Sequence, residues 1–256
     1  MACVISVANQ KGGVGKTTTV IELCTIFAKK GYKVLGIDLD GQRNFSIYAG
    51  ADIENKNTIF NALDAVCKVE DAVQTLNNYD IMISDSRLSL AQKYFIDGDS
   101  QFLLSDILGL LEEHGSHYDY VFIDCPPQRG ILQEMAIVAS DYIIGVTKVD
   151  DGGLYGLLEL AADVELKTKR KTSHVKFLGI LYNDFMNTRE DETTVIRLDK
   201  IAEKIGTTAF ETIIRHSIKA STCKKKRISI TELDSNNNVA QDYAELAEEI
   251  IKKIGG

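Results

Sequence analysis

Apolar positions along the chain fall into short, nearly continuous runs separated by longer stretches with helical spacing. Residues 4–8, 33–38, 81–84, 120–124, 142–147 and 177–182 form the short runs, which read as buried strands. Between them, residues 16–30, 101–114, 154–167 and 195–205 place apolar side chains three and four apart and predict helices, the first closing at Gly31. A last helix is expected over residues 239–254, where Val239, Tyr243, Leu246, Ile250 and Ile254 make one stripe opposite Asp242, Glu245, Glu248 and Glu249. The run Asn236-Asn237-Asn238 ahead of it reads as a loop. Strand and helix signals that alternate in this way predict an α/β fold, with a mostly parallel, twisted sheet carrying helices on both faces. Ligands of such a sheet sit at the carboxyl ends of its strands.

Composition narrows the possibilities. A chain of 256 residues that is 45% apolar can bury the core of one domain, and residues 1–256 read as a single domain. No apolar run approaches the roughly 20 residues of a membrane span. The N-terminus enters its first strand without a basic flank or a small-residue cleavage site, so a cytoplasmic protein is expected. Five scattered cysteines (Cys3, Cys24, Cys67, Cys125, Cys223) without a C-x-x-C pair predict free thiols rather than disulfides or a zinc site. A net charge of −8 excludes nucleic-acid coating over the whole surface and confines such binding to a local patch.

The segment Lys11-Gly12-Gly13-Val14-Gly15-Lys16-Thr17-Thr18 lies between the first strand and the first helix, where a phosphate-cradling loop belongs. Its glycines let backbone N–H groups turn toward phosphate oxygens, and the helix that follows points its N-terminus at the same anion. Lys16 supplies a charge for the β- and γ-phosphates, and the Thr17 hydroxyl can ligate Mg²⁺. The chemistry predicted is therefore binding of ATP with Mg²⁺. Gln10 stands where the ordinary phosphate loop has its first glycine, and Lys11 adds a second lysine.

In these departures residues 9–19 resemble the deviant P-loop of the ParA/MinD class of ATPases, and the resemblance runs through the chain. It implies a P-loop NTPase in which Lys11 crosses an ATP-bound homodimer to the partner's phosphates. Asp38-Leu39-Asp40-Gly41-Gln42-Arg43-Asn44 is similar to the D-x-D-P-Q-x-N stretch of ParA partition ATPases, with Gly41 and Arg43 in place of the usual proline and glycine. By this resemblance Asp40 orients the attacking water and Asp38 supports the metal site. Asp124, which closes an apolar strand before Cys125-Pro126-Pro127, is similar to the class's second acidic motif and is expected to hold Mg²⁺. Gln128-Arg129-Gly130 replaces its usual Ser-Leu-Gly. Asn183 and a turn at Ile213-Ile214-Arg215 occupy the positions where the class holds adenine, although ordinary surface polar residues fit there equally well.

Arg215, Lys219, Lys224, Lys225, Lys226 and Arg227 gather on an otherwise acidic chain, as expected of a patch for phosphate backbones or of a solvated basic loop. The resemblance implies an ATPase of the ParA or Soj type. Its dimer binds nonspecific DNA on the nucleoid and leaves when a ParB-like centromere-binding protein stimulates hydrolysis. Two alternatives share the loop. A MinD-like positioning ATPase would need a basic amphipathic anchor, which the acidic last helix does not offer, so no membrane partner is expected. A metabolic P-loop enzyme of the class, nitrogenase-iron-protein-like or dethiobiotin-synthetase-like, would need cluster cysteines or a small-molecule pocket.

Overall fold

The first strand, β1 (Cys3–Ala8), turns Val4 and Ala8 to one face and Ile5 and Val7 to the other, and all four are buried, so both faces must be covered. The computed structural model, which describes residues 2–54, 56–148 and 150–255, places it in the interior of an eight-stranded sheet. Along the chain follow α1 (Lys16–Lys29), β2 (Val34–Asp38), α2 (Asn44–Tyr48), α3 (Ile59–Leu63), β3 (Val73–Thr75), β4 (Asp80–Met82), α4 (Ala91–Tyr94), α5 (Leu103–Glu113), β5 (Tyr120–Asp124), α6 (Ile131–Ala139), β6 (Tyr142–Thr147), α7 (Asp151–Lys169), β7 (Lys176–Phe185), α8 (Arg189–Lys204), β8 (Ala209–Arg215), α9 (Lys219–Lys226), α10 (Ile230–Leu233) and α11 (Asn238–Gly255). The strand order is β3-β4-β2-β5-β1-β6-β7-β8, and every pairing is parallel except β3 with β4.

Helices cover both faces, as the alternating pattern implies. One core joins Leu35, Ile37, Val121 and Ile123 of the sheet to α3, α5 and α6, while Leu154 and Leu157 of α7 meet Leu198 of α8 in a smaller cluster. The opposite core joins Ile5, Val7 and Phe122 to α1 and to Tyr243, Leu246 and Ile250 of α11. α11 is thus a structural layer whose apolar stripe is buried from Val239 to Ile250 and partly buried at Ile254. Gly31, at φ 93°, ends α1 in the left-handed conformation expected of a glycine just past a helix.

Several boundaries differ from the sequence expectation for identifiable reasons. α6 went unpredicted because nearly every residue in it is buried and no amphipathic period remains. α8 begins six residues before the expected position, since a capping box between Thr188 and Asp191 starts it with a polar first turn. The expected turn at residues 213–215 is instead the end of β8, paired with β7, and Lys219, Lys224, Lys225 and Lys226 of the basic cluster lie on the helix α9. Asp242 was placed on the solvent face of the last helix; it is buried, with 6% of its side chain exposed, because Arg215 pairs with it.

Candidate nucleotide site

The ends of β1, β2 and β5 lie side by side, with Val7 and Asp38 each in register with Asp124, so the loops that leave these strands share one edge of the sheet. The loop after β1 turns through two glycines with positive φ, Gly13 at 76° and Gly15 at 109°. Gly15 is the N-cap of α1 and no side chain caps the helix, so its first N–H groups are left for an anion. Lys16 is 6% exposed, and its ammonium donates to the carbonyls of Asn9 and Lys11, each at 3.0 Å. Burial lowers its pKa, while the nearby Asp124 works in the opposite direction.

Thr17 Oγ1 donates to Asp124 Oδ2 at 2.7 Å, and the other carboxylate oxygen, Oδ1, is buried without a hydrogen-bond partner. Burial pushes the Asp124 carboxyl well above the usual carboxylate range, and the neighbouring Asp38 adds to the shift. A hydroxyl beside a carboxylate with one open oxygen is a donor set that fits Mg²⁺, which takes few protein oxygens and keeps several waters. A bound divalent cation would also reverse the shift on Asp124. Thr17 and Asp124 would hold the metal there.

Asp38 is fully buried but its oxygens are engaged. Oδ1 accepts from Asp40 N at 3.1 Å, and Oδ2 accepts from Ser46 N at 2.8 Å and Ser46 Oγ at 2.7 Å. Burial pushes its pKa up to about 6. Asp38 therefore shapes the loop after β2 and ties it to α2. Asp40 is half-buried in a cleft of about 290 Å³ bounded by residues 40–42, 88–92 and 126–132. Its Oδ1 accepts from Gln42 N at 3.0 Å, and its carbonyl accepts from Ser84 Oγ at 2.6 Å. Gly41 stands where the ParA pattern has proline because a Cβ there would meet Ser89 Oγ at 2.3 Å and Ser89 N at 2.7 Å.

Lys11 is exposed and lies over the first turn of α7, where a Cβ on Gly152 would come within 3.2 Å of its Nζ. Gly12, also exposed, abuts Pro127, and Val14 is buried. Asn9 holds the entry to the loop. Its amide donates to Val146 O at 2.7 Å and Gly153 O at 2.9 Å, and its Oδ1 accepts from Lys11 N at 2.8 Å. Gln10 and Arg129 both donate to the carboxylate of Asp163 on α7. Asn9 was read only as part of the motif, and Asp163 had no sequence signal, since one acid on an amphipathic helix looks like any other.

Of the residues placed at adenine, Asn183 does meet the loop: its amide donates to Val14 O at 2.7 Å. Arg215 does not reach the loop. Its guanidinium grips Asp242 through Nε and Nη2, and Nη2 also donates to Asn238 O at 3.0 Å, which clamps β8 to α11. Thr18 borders a narrow gap beneath α9 together with Tyr48 and Cys223.

The basic patch is accordingly smaller than its sequence. Arg215 is paired with Asp242 and Lys219 with Asp234, which leaves the exposed end of α9, Lys224 to Lys226, and Arg227 beyond it. Lys224 lies over the ring of Tyr48, 5.3 Å from its centroid.

A family model described as an AAA domain matches residues 2–177, and one for 4Fe-4S iron sulfur cluster binding proteins of the NifH/frxC family matches residues 103–254. Soj, the sporulation initiation inhibitor protein of Bacillus subtilis, is 28% identical over 98% of both chains. The chain belongs to the ParA/MinD class of P-loop ATPases. An uncharacterized protein of Methanocaldococcus jannaschii, MJECL24, is 30% identical over 98% of this chain and 99% of its own. The fold is that of apo McdA from Cyanothece, with a TM-score of 0.87 at 23% identity and full coverage of both chains. Solved structures of this fold include McdA(D38A) of Cyanothece with ATP and MinD of Pyrococcus horikoshii with Mg-ADP. Cys125 is 2% exposed and burial pushes its thiol up to about 12, an environment that disfavours the thiolate an iron–sulfur cluster needs. No helix among the described residues is long and apolar enough to cross a membrane.

Proposed function

We propose that this protein is an ATP-dependent partition ATPase that binds nonspecific DNA as an ATP-bound homodimer and is released when hydrolysis is stimulated by a ParB-like centromere-binding protein. Lys11 reaches the partner's phosphates, Asp40 orients the water, and Lys224, Lys225, Lys226 and Arg227 contact the DNA backbone. On this reading the protein works in the cytoplasm on the nucleoid.

The observation that carries the reading is the exposed cationic end of α9 together with what lies beneath it. Tyr48 under Lys224 belongs to α2, which Asp38 anchors through Ser46, and Glu22 of α1 accepts from Ile230 N and Thr231 N at the start of α10. The basic helix thus rests on α2, and α10, which follows it, is tied to α1, so both helices that leave the nucleotide loops meet this segment, a route by which nucleotide state can reach DNA affinity. Two such patches joined in a dimer would neutralise several phosphates together and give steeply salt-dependent binding. The MinD-like alternative is less supported, because the apolar stripe of α11 is already buried against α1 and the sheet.

The test is DNA binding with ATP, ADP and no nucleotide over a salt series. The reading expects ATP-dependent, sequence-independent binding that weakens steeply with salt and is lost on charge reversal at Lys224, Lys225, Lys226 and Arg227, with basal ATP turnover intact. Binding that is absent under every condition, or unchanged by charge reversal, would overturn it.

A further inference from the structure

The segment from Cys125 to Gly130 connects Asp124 to α6, and it carries a cation where the class usually has Ser-Leu-Gly. Four observations bring that cation, Arg129, to the phosphate loop. Pro127, two residues earlier, packs on Gly12, with its Cβ 3.9 Å from where a Gly12 Cβ would be. Arg129 donates to one oxygen of Asp163, and Gln10, the residue before Lys11, donates to the other at 2.8 Å. Arg129 lines the same cleft as Asp40 and is the only lysine or arginine among its described lining residues. Gly130, which follows it, has φ 154°, a backbone position that other residues rarely adopt, at the junction with α6.

The exposures differ in an informative way. The Asp163 side chain is 16% exposed and fixed by two partners, whereas that of Arg129 is 61% exposed. The carboxylate is the anchored member and the guanidinium is the one with room to move. Arg129 meets a single anionic oxygen of Asp163, and a phosphoryl oxygen is an anionic acceptor of the same kind to which a guanidinium donates well. Of the two lysines of the phosphate loop, Lys16 is buried against backbone carbonyls and cannot move toward the cleft without leaving them, and Lys11 lies over the first turn of α7.

Building on the ATPase reading, we infer that Arg129 is a catalytic residue which exchanges Asp163 for the γ-phosphate of ATP supplied in the same chain. In the hydrolysis it serves, a bond forms from the water oxygen to Pγ and the bond from Pγ to the β–γ bridging oxygen breaks. The electron pair leaves on that oxygen of ADP, and the water proton passes to solvent. Arg129 stabilises the charge that develops on the γ-phosphoryl oxygens, a contribution that in phosphoryl transfer reaches several orders of magnitude. Asp163 acts on the reaction only through Arg129, as a positioning residue that holds the cation aside in the empty site.

The experiment is phosphate release from Mg-ATP by the full chain, with ATP affinity measured in parallel, for wild type and for Arg129→Ala, Arg129→Lys and Asp163→Asn. Asparagine keeps an oxygen to accept from Gln10 while removing the charge that holds Arg129. Arg129→Ala should lower kcat by at least about tenfold with ATP affinity within about threefold of wild type, and lysine should restore part of the loss. Asp163→Asn should leave kcat unchanged or raise it. If Arg129→Ala hydrolyses ATP within twofold of wild type, the inference fails alone. If both single variants slow hydrolysis equally, the pair is a structural latch and Arg129 has no role at phosphate. No phosphate release from wild type would overturn the ATPase reading, and this inference with it.

Discussion

Replacing a glycine by alanine within a helix ordinarily stabilises a protein by about 1 kcal/mol, because alanine restricts the unfolded chain and favours the helix. Gly156→Ala in α7 is expected to do the reverse. A Cβ on Gly156 would stand 2.1 Å from Asn9 Oδ1 and 3.0 Å from Lys11 N, so the Asn9 side chain has to leave its place. It would lose its hydrogen bonds to Val146 O and Gly153 O and the one it accepts from Lys11 N. Three such bonds at about 1 kcal/mol each, less the propensity gain of about 1 kcal/mol, give a net loss of about 2 kcal/mol. For a chain of this size that lowers Tm by roughly 4–8 °C. Lys16 is held by the carbonyls of the same Asn9 and Lys11, so ATP affinity should fall too, about tenfold for each 1.4 kcal/mol of lost loop order. Gly109→Ala in α5 is the control: a Cβ there meets nothing within 4 Å, and the ordinary gain of about 1 kcal/mol is expected. Thermal unfolding and ATP titration of the two variants decide the matter. A Gly156→Ala protein as stable as Gly109→Ala, with wild-type ATP affinity, would refute the close approach of α7 to the phosphate loop.

Lys16→Ala should abolish ATP binding in a titration, whereas Asp40→Ala should bind ATP and accumulate as a dimer on size-exclusion chromatography; a monomeric Asp40→Ala protein with ATP bound would remove the water-orienting role. Gly41→Pro, which restores the residue usual in ParA proteins, should destabilise this chain, since the ring would run into Ser89; a rise in Tm would show that residues 86–90 yield easily. Glu22→Gln should cost about 1–3 kcal/mol in chemical denaturation, because an amide cannot accept from Ile230 N, Thr231 N and Thr231 Oγ1 together. Burial raises the Glu22 pKa above its ordinary 4.5, so the stability it contributes is complete below 4.5 and declines as pH rises through the folded value. The gap between wild type and Glu22→Gln should therefore be widest in acid and narrow toward neutrality, and a gap that widens with pH would contradict the assignment.

Most of the candidate nucleotide edge of the sheet was legible in the sequence because it is local. A strand that ends at Ala8, glycines that permit positive φ and a helix that starts at Lys16 are consequences of neighbouring residues, and the side-chain period fixed the layers of the sheet. The acids that close β2 and β5 were legible for the same reason. Pairings across the fold were not. By sequence Arg215 and Lys219 belong to a basic patch, but Asp242 and Asp234, 27 and 15 residues away, take their charges. Asp38, read as metal support, has its oxygens turned to Ser46 and Asp40 N, while Asp124 keeps one buried oxygen open. Asp163, 153 residues from Gln10, and Gly156, under Asn9, acquire meaning only when α7 is laid across the phosphate loop. Charge and burial are settled by what approaches from the rest of the chain. The sequence by itself therefore determined the phosphate-loop motif and the layers, and the tertiary structure decided which charges remain free to act.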